Sequence, residues 1–529
     1  MTQLAGTGAL IRLVLRRDRL ILPLWIVLVT AFFAGTASSF ATAYPTLQAQ
    51  QDFIDNVVSN PAVVALIGPV LDPGVGGLTA WRIGTVGSVV VGLIAILAVV
   101  RHTRTEEVEG RQELARAAVV GRSAHLTAVL AVVGAGMLVM AALTGLALAA
   151  QGLPASGAFA LALALAAVGW VFAGVAALAA EICSTNRAAS GVSVAVLALA
   201  VVVRMGADVG AGAGPTAWLA WLTPTGWLQQ VLPFSEQRWW VFLLFLIVTA
   251  ALVGAAYAVR DRRDIRAGLL ADRLGPAHAG PGLSSVFALT WRQNRGLLLA
   301  VVIGYGLLGL LMGSAAPGVA QAGAQLGPFL ARLGVANGAE ALVILLIYVF
   351  AEVLAAYAIM VTLRPRSDET GGLAFVLLAT PTSRTRWALS QFVIVVLGTA
   401  AAMLVRGVTI GLTYGLATGD LAGQLPAAVG SALAKLPAVW VVAGVAALLF
   451  GLVPRLSVAL SWAVFVIVLA LEIGWEFGSV PDAVFAASPF SYVFPLSGQA
   501  SLSAVLGLTL VAAVLGAGGL LALRRRDIG

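Results

Sequence analysis

An apolar run of about twenty residues can cross a hydrocarbon layer only as a helix that bonds its own backbone, and such runs fill this chain from end to end. They are placed at about 20 to 41, 84 to 101, 126 to 151, 157 to 181, 188 to 206 and 240 to 259, and again at about 297 to 315, 341 to 363, 388 to 416, 427 to 452, 456 to 475 and 502 to 523. Only 10% of the residues are charged, against about 25% in soluble domains. The expected fold is an all-α polytopic membrane protein with about 12 transmembrane helices. The first run, Leu20 to Thr42, is of full span length and is read as a retained span, not a cleaved leader.

The net charge of +8 does not point to nucleic acid, because the basic residues alternate between loops instead of forming one patch. Arg12, Arg16, Arg17 and Arg19 precede the first span, Arg101 to Arg122 follow the second, Arg187 follows the fourth, and Arg260, Arg262, Arg263 and Arg266 follow the sixth. By the positive-inside rule those loops and both termini face the cytoplasm of a bacterial cell membrane. Cys183 is the single cysteine, so no intrachain disulfide forms, and the three histidines lack ligand spacing.

The longest charged island between spans, Arg104 to Arg122, recurs without a gap at Arg366 to Arg384, which aligns Glu107 with Glu369, Gly110 with Gly372 and Arg122 with Arg384. Trp170 to Leu178 and Trp440 to Leu448 differ only at Phe172 against Val442, and RRDI closes both six-span sets. Two homologous halves in parallel orientation follow, 1–266 and 284–529, with 267–283 as cytoplasmic linker. Before the first span of each half, Leu10 to Arg19 and Ser284 to Arg295 carry Arg at helical spacing and are expected to lie in the membrane interface.

No Gly-x4-Gly-Lys-Ser/Thr loop is present, and Lys435, the one lysine, lies within a span. The chain therefore has no Walker-type ATP site, and neither a nucleophile elbow nor a zinc helix supports a hydrolase. The duplicated polar island is read as a docking surface for a separate protein, carried by Glu106, Glu107, Glu109, Gly110 and Arg122 in the first copy. Asp368, Glu369, Gly372, Pro381 and Arg384 carry it in the second.

With EEVEG and DETGG after the second span of each half, NPAVVALIGP at Asn60 to Pro69, GGLTAWR at Gly76 to Arg82, LTPTGW at Leu222 to Trp227 and SPFSY at Ser488 to Tyr492, the chain resembles a known family along its whole length. It is similar to the fused two-half permeases of bacterial type-2 ABC exporters of the polyketide-antibiotic or tetronasin type. The resemblance implies that each polar island is a coupling helix seated on one of two separate ATP-binding cassette subunits. Those subunits would hold ATP and Mg²⁺, leaving no cofactor and no enzymatic activity on this chain. It also implies export of hydrophobic or amphiphilic drug-like compounds, with membrane lipid as the surrounding partner. Ala118 and Val119 replace Thr380 and Pro381 in the first copy, so the two halves are expected to dock unequally.

A proton- or sodium-driven secondary drug transporter remains the alternative, and it would need buried carboxylates. Glu352, Arg406 and Lys435 lie well inside spans of the second half at similar depth, with no counterparts in the first. They are read as an intramembrane charge cluster, or part of a translocation path, in which Glu352 approaches Arg406 or Lys435.

Overall fold

A computed structural model describes residues 3–55, 64, 67–108, 120–208, 215–262, 278, 280–320, 338–476, 480–493 and 501–526. All its long elements are helices, and 11 of those described are long and apolar enough to cross a membrane. Another apolar helix, Ser457–Glu476, occupies the crossing expected at 456 to 475. The chain is a multi-pass membrane protein, and its contacts divide it into two compact units, Met1–Leu274 and Gly275–Gly529.

The first unit comprises α1 (Thr7–Arg17), α2 (Ile21–Ala43), α3 (Val75–Val100), α4 (Ala124–Ala150), α5 (Ala155–Ile182), α6 (Asn186–Asp208), the short α7 (Pro224–Gln230) and α8 (Phe242–Arg262). Helix α5 is its axis, packed against α3, α4, α6 and α8. Ala160, Ala164, Ala167, Ala176 and Ala177 on α5 are buried, and such small side chains let neighbouring backbones approach closely where lipid offers no hydrophobic drive. Trp218, Trp239 and Trp240 stay exposed near the end remote from the polar island, as expected of rings anchored in a headgroup layer.

The second unit comprises α9 (Val286–Ala320), α10 (Gly338–Thr362), α11 (Arg364–Thr370), α12 (Leu373–Leu378), α13 (Arg384–Thr418), α14 (Leu421–Ala434), α15 (Leu436–Leu452), α16 (Ser457–Glu476) and α17 (Leu502–Arg525). Three departures from the first unit have local causes. The interfacial stretch Thr7–Arg17 is separate from its span, and Pro23, which cannot bond the preceding turn, stands at the start of the next helix. In the second unit Leu299 stands at the matching place, so Ser284 to Arg295 does not form the separate interfacial helix expected but leads into one helix with the span. Helix α3 runs on through a π-helical turn, Arg101–Thr105, whereas Pro365 opens a new helix after α10. The tenth crossing is broken at Lys435, with Pro437 at the start of α15.

Candidate functional site

At the arginine-rich end of each half the polar island is folded back as a clasp. In the first half Arg104 is buried and donates to Glu107, at 3.0 Å, and to the Ser184 carbonyl, at 2.9 Å from Nε. Asp18, the residue that ends α1, faces His102 Nε2 at 2.6 Å and Arg101 at 3.2 Å. Glu106 accepts from Arg17 and lies 3.3 Å from His102 Nδ1. His125 Nε2 is 2.5 Å from the His102 carbonyl. Burial alone raises the Glu106 carboxyl, but the hydrogen bonds from His102 and Arg17 outweigh it and hold the group below its ordinary value. Arg122 and Arg260 donate to each other's carbonyls at 2.8 and 2.9 Å, and Arg260 also meets Glu181 at 2.7 Å.

The second half repeats this plan with different chemistry. Arg366 meets Glu369 at 3.3 Å, the same three-residue spacing as Arg104 and Glu107, and Arg526 binds the other Glu369 oxygen. Arg384 donates to the Arg526 carbonyl at 2.5 Å, as Arg122 does to that of Arg260. Where the first half sets His102 on Asp18, the aligned Arg364 donates to Asn294 Oδ1 at 2.9 Å. Both clasps therefore tie the stretch before the first span to the end of the second, and the end of the sixth to the start of the third.

The carboxylates, read from the sequence as part of a docking surface, lie inside each clasp. Glu106, Glu107 and Asp368 are buried, and the Glu369 side chain is 7% exposed, because each island lies beside the arginines of its own half. What faces outward in the second copy is apolar. Gly372, with φ 78°, turns the chain in the left-handed region between α11 and α12, and α12 then exposes Leu373, Phe375 and Val376. Pro381 is exposed and Arg384 half-buried at the start of α13. Glu109 and Gly110 lie outside the described residues.

Glu352, Arg406 and Lys435 are all buried, but among the described residues no ion pair joins them. Glu472 on α16, which neighbours Glu352, accepts from Tyr348 and from Ser488, the latter at 2.7 Å. Lys435, at the break between α14 and α15, donates to the Val493 carbonyl and lies 5.8 Å from the Tyr348 ring. Arg406 is 0% exposed, its guanidinium sits 3.9 Å above the Phe350 ring, and all three of its side-chain nitrogens lack an acceptor among the described residues. An isolated arginine at such depth costs about 3 kcal/mol or more.

The end of the first half remote from the polar island holds a different arrangement. Arg204 donates to Asp208 at 2.9 Å, to the Ile67 carbonyl at 2.9 Å and to Thr85 at 3.1 Å. Beside this cluster a small pocket of about 40 Å³ opens between α3 and the segment after α7, lined by Ile67, Leu71, Trp81, Leu228, Leu232 and Phe234 with Asp72 as its one charged group. Sequence reading missed Arg204 with Asp208, Glu181 with Arg260, and Glu472, since each acid stands near a predicted span end and looks solvated there. The signal was available for one pair: Arg204 and Asp208 are four residues apart on one helical face.

Comparison with known proteins agrees with this architecture. The family described as Multidrug efflux system permease Rv1217c, C-terminal domain, matches residues 283–524. Over 533 aligned residues, covering 99% of this chain and 95% of the relative, the sequence is 39% identical to the multidrug efflux system permease protein Rv1217c of Mycobacterium tuberculosis. A membrane chain of two helical halves, alike along its whole length to that protein, belongs to the multidrug efflux permease family.

Proposed function

We propose that this chain is the membrane subunit of an ATP-driven exporter of the type-2 ABC class, passing hydrophobic or amphiphilic drug-like compounds outward across a bacterial cell membrane. Its arginine-rich ends and both termini face the cytoplasm. Two copies of a separate ATP-binding cassette subunit, which hold ATP and Mg²⁺, seat on the two polar islands. The observation that carries this reading is the second clasp, whose buried ion pairs brace a short helix with Leu373, Phe375 and Val376 exposed. An exposed apolar patch at the water side of a membrane protein marks a contact surface. Closure of the ATP-binding pair would then pull on α12, and through Glu369 and Arg526 on α10 and α17 together.

The test is co-purification of the full chain with the ATP-binding subunit expressed beside it, followed by drug-stimulated ATPase. Phe375→Asp with Val376→Asp is expected to abolish association while the permease stays folded in the membrane. Unchanged association and ATPase would overturn the docking reading. The chain alone is expected to hydrolyse no ATP. A proton-driven secondary transporter is the second reading, and the Glu352–Glu472 carboxyl pair favours it. Export that continues without ATP but stops when the proton gradient is dissipated would select it.

A further inference from the structure

Among the buried charges of the second half, Arg406 alone among those described has an unanswered guanidinium. Lys435 has the Val493 carbonyl, and Glu472 has Tyr348 and Ser488. Arg406 carries a charge that an arginine keeps in a protein interior. The planar fork of a guanidinium fits the two oxygens of a carboxylate or phosphate. Phe350 covers one face of the guanidinium, and the Tyr305 hydroxyl, on α9, donates to the Phe350 carbonyl at 2.7 Å.

The seam between α9 and α13 runs beside Arg406, whose carbonyl lies 3.2 Å from where a Cβ at Gly309 would stand. Gly306, Gly309 and Gly313 face Val405, Thr409 and Thr413, so closely that a Cβ at Gly309 or Gly313 would stand 2.0 Å from a threonine hydroxyl. Those hydroxyls donate within their own helix, Thr409 to the Val405 carbonyl at 2.8 Å and Thr413 to the Thr409 carbonyl at 2.9 Å. This part of the seam is held by close packing, and parting it breaks neither of these bonds.

We propose that Arg406 is an anion-recognition site inside the second half, taking the carboxylate or phosphate headgroup of an acidic amphiphile that enters between α9 and α13. As a substrate contact it rests on the export reading; as a binding site it does not.

The experiment uses the purified full chain without ATP or a partner, titrated with oleate and with uncharged methyl oleate while thermal unfolding and tryptophan fluorescence are followed. Oleate is expected to raise the midpoint and methyl oleate to leave it unchanged. Arg406→Met should melt no lower than the parent without ligand, because it removes an unanswered charge. It should bind oleate on the order of tenfold more weakly or worse. Should that variant fail to fold, Arg406→Lys keeps the charge, loses the fork, and is expected to weaken oleate binding alone. Nanodiscs separate the two sources of headgroup. If phosphatidylglycerol in a phosphatidylcholine disc suppresses the oleate response through Arg406, the site holds a lipid, and if it does not, the site takes the free amphiphile. Equal responses to oleate and methyl oleate, or an oleate affinity unmoved in both variants, would overturn the proposal. A chain that binds oleate through Arg406 yet exports nothing would keep the site and remove the export reading instead.

Discussion

In the first half the membrane charges come as opposites, Arg204 on Asp208 and Arg260 on Glu181, whereas in the second the same places hold something else. Counted from Arg187 and Arg455, which follow the fourth span of each half, Arg204 stands where Glu472 stands. Counted from Trp170 and Trp440, Glu181 stands where Gly451 stands, and beside it Arg526 donates to the Phe450 carbonyl at 2.8 Å. The fourth span of the first half is one helix, α5, while that of the second is broken at Lys435. The difference teaches that the duplicated clasp is the shared part of the machine, and that the membrane interior of the two copies has diverged. Paired charges and an unbroken axis suit a half that holds its shape. A carboxyl pair, a broken helix and an unanswered arginine suit a half whose interior is tuned for a ligand or a change of packing.

The largest effect that would test this contrast is expected at Glu181. Replacing one member of a buried pair leaves the other charge without its counterion, which costs about 3–5 kcal/mol. Glu181→Leu should therefore lower the unfolding midpoint of the detergent-solubilised chain far more than Arg406→Met, which removes a charge that has no such partner. If the two variants melt alike, the halves do not differ in the way described. A smaller effect is expected at Gly372, whose left-handed backbone any side chain resists by about 1–2 kcal/mol. Nothing lies within 4 Å of the added methyl in Gly372→Ala, so the loss would come from the turn itself. Its reading is a weakened association with the ATP-binding subunit, with little change in midpoint. An association unchanged by that substitution would detach α12 from docking.

Much of this architecture was legible beforehand, since span length and charge alternation are set by the bilayer itself. The apolar runs lie on the observed helices, and the aligned islands turn out to share one ion-pair geometry, Arg104 with Glu107 and Arg366 with Glu369. What the sequence hid was direction. A run of acidic residues between spans looks solvated, and nothing in its spacing says that Arg17, Arg104 and Arg526 will turn the carboxylates inward. Pro437 does signal the broken crossing, yet in so apolar a stretch hydropathy alone reads through it. Glu472 was hidden for a related reason. Its partner Tyr348 lies 124 residues away along the chain, and only packing brings the two together.

The smallest expected effect concerns acid, and it belongs to the first clasp alone. At the positions where the first half has His102 and His125, the second has Arg364 and Trp387, so the histidines that surround Glu106 have no equivalents. Glu106 has its folded carboxyl held below the ordinary value of 4.5. A depressed carboxyl contributes stability in full above the unfolded value and loses it as pH falls through the folded one. The clasp should thus loosen below about pH 4.5 and be unaffected by this group between pH 6 and 8. Limited proteolysis at the polar island, followed from pH 7 down to pH 3, reads that loosening directly. Glu106→Gln should cut faster than the parent at pH 7 and converge with it in acid, because protonation then removes from the parent what the substitution has already removed. Curves that stay parallel over the whole range would mean that Glu106 does not hold the first clasp, and that Arg104 with Glu107 carries it without help.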